Sequence, residues 1–89
     1  LKNRVVLIAV GEDKPGLVAG VTSMIANAKG NIIDIDQVVL QHVFIMSILA
    51  DLRESNIKKR RLKELLIKEG KKLGLKIHVY NLKELKATK

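Results

Sequence analysis

Apolar and polar positions alternate along this chain with two different periods, and the changes of period mark out its elements. "RVVLIAV", Arg4 to Val10, is short and β-branched and ends at Gly11, which predicts a buried strand. From Gly16 to Lys29 the apolar residues Leu17, Val21, Met24, Ile25 and Ala28 recur on one face of a helix. Gly30 follows, where a left-handed C-cap suits glycine. "NIIDIDQVVL" alternates loosely, with Ile33, Ile35 and Val39 on one side and Asp34, Asp36 and Val38 on the other. "VFIMSILADL", Val43 to Leu52, predicts another strand. The hairpin between these two strands rests on length and pattern, because Leu40-Gln41-His42-Val43 carries no Asn-Gly turn signal. Ser55 or Asn56 is expected to cap a second helix with the inward stripe Leu62, Leu65, Leu66 and Leu73. A strand over about Leu75 to Tyr80 closes the pattern, and the tail 82–89 has the composition of a short helical turn.

The order is β-α-β-β-α-β. Right-handed crossovers put both helices on one side of the sheet. The expected fold is therefore α+β, a ferredoxin-like sandwich with a four-stranded antiparallel sheet under two helices. One domain spans residues 1–89, with its core at about 4–81. The third strand is apolar on both faces, Phe44, Met46 and Ile48 alternating with Val43, Ile45 and Leu49. Two helices cover one face only. The other would present a larger apolar patch than a monomer usually exposes, so self-association through the sheet face or its edge is expected.

Composition narrows the function. With no cysteine there is no disulfide, thiolate metal site or thiol catalysis. No apolar run approaches the ~20 residues that span a bilayer, and no secretory pattern opens the sequence, so a cytoplasmic protein is expected. The net charge of +8 is uneven. Residues 1–53 balance, whereas residues 54–89 carry twelve basic against four acidic side chains. Lys58, Lys59, Arg60 and Arg61 form the densest cluster. Such a stripe can meet nucleic acid or an acidic partner, and it is also what the solvated face of a lysine-rich helix looks like. An RNA-recognition sheet stacks bases on aromatics of strands one and three, whereas here strand one has none and strand three only Phe44, which argues against that use of the fold.

The segment "VGEDKPGLVAG" carries the first candidate site. Gly11 and Gly16 have P-loop spacing, but Leu17 and Val18 follow where that motif needs Lys and Ser or Thr, so nucleotide hydrolysis is rejected. Asp13 is expected to cap the helix and Pro15 to sit in its first turn. The amides of Gly16, Leu17 and Val18 would then face a carboxylate or phosphate at the positive end of the helix dipole. The same residues also make a plain β-to-α turn, and the local pattern leaves both readings open. In "KGNIIDID", Asn31 offers a donor and an acceptor, and Asp34 lies on the same strand face as Asp36, where a carboxylate could receive an ammonium. Neither His42 nor His78 has a nucleophile placed beside it, and no motif for catalysis, a metal or a cofactor is present.

Together, "DKPGLVAG", "NIIDIDQ" and "VLQHVFIMSILAD" resemble the ACT domain, a regulatory module of aspartate kinases, phosphoglycerate dehydrogenases and the glycine-cleavage repressor. The resemblance spans nearly the whole chain and is greatest to stand-alone single-ACT proteins. His42 departs from it, since glycine is frequent there. The resemblance implies a non-enzymatic protein, without cofactor, that binds an amino acid between two copies in a homodimer or higher homo-oligomer. It implicates Asp13, Gly16, Leu17 and Val18 on the loop, and Asn31, Ile32 and Asp34 at the start of strand two. A ligand-free pairing module acting on a protein or nucleic-acid partner through Lys58 to Arg61 is the alternative.

Overall fold

The structure is a computed structural model that describes residues 2–87. Its elements are β1 (Arg4–Glu12), α1 (Leu17–Asn27), β2 (Asn31–Leu40), β3 (Val43–Asp51), α2 (Lys59–Lys72), β4 (Leu75–Asn81) and a short α3 (Leu82–Ala87). The sheet order is β2-β3-β1-β4, with β1 antiparallel to both β3 and β4 and β2 antiparallel to β3. This is the expected ferredoxin-like arrangement.

The core lies between the sheet and the two long helices. Val5, Leu7 and Ala9 of β1 alternate inward with Phe44, Met46, Ile48 and Ala50 of β3 and with Leu75 and Ile77 of β4. Leu17, Val21 and Ile25 of α1, with Leu62 and Leu66 of α2, close over them. Leu65 and Leu73 of the expected stripe are only half-buried, and Leu73 stands just beyond the helix. Gly70 takes the buried place on the next turn, because a Cβ there would stand 2.5 Å from Ile77 Cδ1. No polar or charged side chain is buried among the described residues.

Local structure corrects several expectations. Helix α1 begins at Leu17 with Gly16 as its N-cap and no side-chain cap, so Asp13 does not cap it and Pro15 lies outside it. At its other end Lys29, not Gly30, is left-handed (φ 59°). Gly30 N–H donates to the Ile25 carbonyl and Lys29 N–H to that of Ala26, both at 2.9 Å, which is the paired bonding of a Schellman motif one residue earlier than expected. Gly30 is required there for space: an added Cβ would lie 2.8 Å from Ile25 Cγ2. Helix α2 starts after Lys58, without a side-chain cap. Ser55 instead closes its own turn, Oγ donating to the Ile57 carbonyl at 2.8 Å, and Asn56 N–H ties that turn to the Ala28 carbonyl at 3.0 Å.

Strand β2 alternates loosely because it contains a bulge. The register slips between Ile32 and Asp34, leaving Ile33 as the extra residue. Ile32, rather than Ile33, therefore stands opposite inward-facing Ala50, while Asp34, Asp36 and Val38 stand opposite Leu49, Ser47 and Ile45 on the open face. The hairpin turns at Gln41 (φ 50°) and His42 (φ 69°), the two positive angles of a two-residue I′ turn, on residues that carry Cβ atoms. Changing Gln41→Asn together with His42→Gly removes that strain without touching the core. It is expected to stabilise the fold by about 1 kcal/mol, read as a higher urea midpoint at unchanged slope.

Candidate functional site

The segment Asp13–Gly16 leaves the end of β1 and delivers the chain to α1. Because β1 and β2 run parallel through a helical crossover, the end of β2 lies at the same end of the sheet as this loop. The hairpin locks the two together: Asp13 N–H donates to the His42 carbonyl at 2.9 Å. Gly16, at φ 88°, reverses the chain into the helix, and no atom lies within 4 Å of where its Cβ would be. Its carbonyl accepts the Gly20 N–H at 2.9 Å. The N–H groups of Leu17, Val18 and Ala19 belong to a first turn with no side-chain cap and no acidic residue.

These amides open on a cleft of about 430 Å³ lined by Asp13, Lys14, Gly16, Leu17, Val18, Ala19, Gln37, Val38, Val39 and Phe44. Its size falls in the range of small-molecule pockets, roughly 300–1,000 Å³. Leu17 and Phe44 form its apolar floor and are buried. Its two charged residues are of opposite sign, Asp13 and Lys14. The Lys14 ammonium lies toward the β4 end of the loop, 3.6 Å from where a Cβ on Gly74 would stand. A ligand carrying both a carboxylate and an ammonium finds complementary groups here: helix amides for the first, Asp13 for the second.

Of the residues singled out in the sequence, Asp13, Gly16, Leu17 and Val18 share this cleft. Asn31, Ile32 and Asp34 do not. They lie toward the opposite end of β2, where Asn31 stands opposite Asp51, which in turn stands opposite Arg4 at the start of β1. Asp34 Oδ1 accepts the Ile35 N–H, and Asp36 Oδ1 that of Gln37, both at 2.9 Å. Lys14, Gln37, Val38 and Val39 were missed, although the signal was present. In a βαβ crossover the carboxyl ends of both strands meet the same loop, so the last residues of β2, not the first, face Gly16.

The basic cluster sits elsewhere. Lys58, Arg60 and Arg61 are exposed, and half-buried Lys59 donates from Nζ to the Lys2 carbonyl at 3.0 Å. Arg61 approaches Glu64 at 3.7 Å. All four cations crowd the positive end of α2, whose first turn holds no acidic residue, so the helix dipole opposes them. Among the described residues no three His, Asp or Glu side chains converge as a metal site, and no helix is long and apolar enough to cross a membrane.

Asp51, at the end of β3, faces the guanidinium groups of Arg4 and Arg53. Its pKa is lowered from an ordinary 3.8, first by the Arg53 N–H that donates to Oδ1 at 2.8 Å. The guanidinium charges of Arg53 (3.7 Å) and Arg4 (3.5 Å) add to this, while burial opposes it. A lowered folded-state pKa contributes stability above the ordinary value and loses it as pH falls through the folded one. Asp51→Asn is therefore expected to be less stable than the parent chain at neutral pH. The difference should vanish as the pH drops through the carboxylate range in paired urea titrations.

Comparison with known proteins agrees with this geometry. The ACT domain family model matches residues 3–80. A UPF0237 protein of Methanopyrus kandleri is 42% identical over 76 residues, 85% of this chain and 84% of the relative. The solved ACT domain protein from Streptococcus pneumoniae superposes with a TM-score of 0.77 at 32% identity, covering 86% of each chain. A solved protein described as a glycine cleavage system transcriptional repressor gives the same TM-score at 28% identity, covering 86% of this chain and 44% of its own. By the family model and by these relatives alike, the chain belongs to the ACT domain family.

Proposed function

We propose that this chain is a non-enzymatic regulatory ACT domain that binds an amino acid, or a similar small carboxylate, in the cleft beside Gly16 at a contact between two copies. The observation that carries the reading is the uncapped first turn of α1 opening on a cleft whose two charged residues, Asp13 and Lys14, have opposite signs. The ligand's carboxylate lies on the amides of Leu17 and Val18, next to the glycine that lets it approach the backbone.

A second copy supplies the other half. Within one chain, Asn31, Ile32 and Asp34 are remote from Gly16, but β2 is an edge strand, exposed at every residue except half-buried Ile32. A partner β2 running antiparallel along that edge carries its own Asn31 toward this chain's loop. Residues opposite each other must share a face, and like charges placed opposite repel. Setting Gln37 against Gln37 of the partner meets both conditions. Asp36 then falls opposite Val38 and Asp34 opposite Leu40, which leads the partner's Ile32 and Asn31 to the turn where His42 meets Asp13.

The test is urea denaturation of the purified protein against the twenty amino acids and a few nucleotides. A ligand at 100 times its Kd adds about 2.7 kcal/mol. One or two amino acids are expected to stabilise the parent chain and to have no effect on Gly16→Val. That variant meets no neighbour and costs only about 1–2 kcal/mol of left-handed backbone strain. Undiminished ligand stabilisation in Gly16→Val would falsify this placement.

The cations at the wrong end of the α2 dipole favour a second reading, a pairing module that reaches an acidic or nucleic-acid partner through Lys58 to Arg61. Changing Arg60→Glu and Arg61→Glu together separates the two. Amino-acid stabilisation is expected to survive the double change, and its loss would point to the basic surface instead.

A further inference from the structure

The sheet face turned away from the helices is apolar in its middle and carries opposite polarity at its two sides. Strand registers define its rows. Asp34 on β2, Leu49 on β3, Val6 on β1 and Tyr80 on β4 form one. Asp36, Ser47, Ile8 and His78 form the next, followed by Val38, Ile45, Val10 and Lys76. The β2 side thus carries the carboxylates of Asp34 and Asp36, with Val38 in the third row. The β4 side offers a phenol, an imidazole and an ammonium, with the His78 and Tyr80 rings stacked at 6.3 Å. Between the two columns, Val10 is 36% exposed and Val6, Ile8, Ile45 and Leu49 are partly so.

We propose that a second copy of this chain covers this face, with the two-fold axis lying along the strands midway between the two sheets. Surface area gives the first reason. A folded monomer of 9.9 kDa is expected to expose about 5,200 Å². This chain exposes 6099 Å². The excess is comparable to one partner's share of a standard interface, about 800 Å², and the open face contributes to it through Val10, Val38 and Tyr80.

Charge supplies the second reason, and it selects the axis. Rotation about an axis along the strands reverses left and right but keeps each row at its level, so the β2 column of one copy lies over the β4 column of the other. Asp36 then meets His78, with Lys76 one row away, and Asp34 meets the Tyr80 hydroxyl. The same contacts recur on the other side by symmetry. Rotation about an axis across the strands would stack β2 on β2 and set carboxylates against carboxylates. Aligned packing of two such sheets, with strands within about 30°, is the ordinary geometry of a β-sandwich.

This contact is separate from the β2 edge and does not depend on amino-acid binding. The axis of an edge pair and that of a face pair do not meet, so an assembly using both would extend rather than close. Mass is therefore best read across a dilution series, so that extension through both contacts is kept apart from pairing through one.

The decisive experiment is charge exchange between the columns, followed by sedimentation velocity, with circular dichroism confirming that each protein is folded. One variant carries Asp34→Lys and Asp36→Lys, the other Lys76→Glu and His78→Glu. Each alone is expected to sediment at half the parent's mass, and an equimolar mixture is expected to recover the parent's mass, because both columns are again complementary. If either variant alone keeps the parent's mass, or the mixture fails to recover it, the arrangement is overturned. A parent that sediments as a single chain overturns it as well. Ser47→Arg provides an independent check in the middle of the face, where a free chain tolerates a long cation. It too is expected to halve the mass, and retention of the parent's mass in this variant counts against the face contact.

Discussion

Two right-handed crossovers put both long helices on the same face of the sheet, and this constraint shapes the rest of the molecule. Among the described residues the covered face yields a core of sixteen buried apolar residues, aliphatic but for Phe44. The uncovered face keeps β-branched and aliphatic side chains on β1 and β3, the two middle strands, apart from Ser47. No polar side chain is buried among the described residues, so within the core the register rests on the apolar alternation of β1 and β3. The margins reinforce it, through the bulge at Ile33, the tight turn at Gln41 and His42, and the Asp13–His42 bond that joins hairpin to loop.

The sequence was most legible where its periodicity was strong. Leu17, Val21 and Ile25 mark α1, the alternation of Phe44, Met46 and Ile48 marks β3, and both are buried as that pattern requires. It was least legible where one residue type stood in for another. The left-handed position after α1 falls on Lys29, and the hairpin turns on Gln41 and His42, residues that give no turn signal of their own. Asp13 looked like a helix cap because Asp commonly is one, yet Gly16 made the reversal unaided. The loop half of the candidate site was readable from Gly16 and the residues after it. The strand half, Asn31, Ile32 and Asp34, rests on the family resemblance, and within one chain these residues lie away from the Gly16 loop because β1 and β2 run in the same direction.

Charge plays different roles in the two halves of the molecule. In α2 the cations at residues 58–61 make exposed contacts, Lys59 with the Lys2 carbonyl and Arg61 with Glu64, yet act against the helix dipole, whereas Lys71 and Lys72 sit at the end that favours them. An exposed cluster of this kind costs little at physiological salt, where charges more than about 8 Å apart are screened. On β2 the carboxylates of Asp34 and Asp36 accept the N–H groups of Ile35 and Gln37. Acidic residues on an edge strand oppose indiscriminate pairing, so any strand that adds there must do so in a register that keeps the acids apart.

The same parallel relation of β1 and β2 that gathers Gly16, Gln37 and Val39 at one end of the sheet carries Asn31 to the other. A strand of ten residues, rising about 3.3 Å each, separates its ends by roughly 30 Å. The side chain of Asn31 does not span such a distance, and no rearrangement within an intact sheet shortens it. If both ends of β2 belong to one binding site, that site is a property of two chains, and its affinity depends on protein concentration as well as ligand concentration. Ligand occupancy would then report on assembly, and assembly on ligand, by the reciprocity that any thermodynamic coupling requires. That coupling would give a domain of this size a physical means of acting as a sensor.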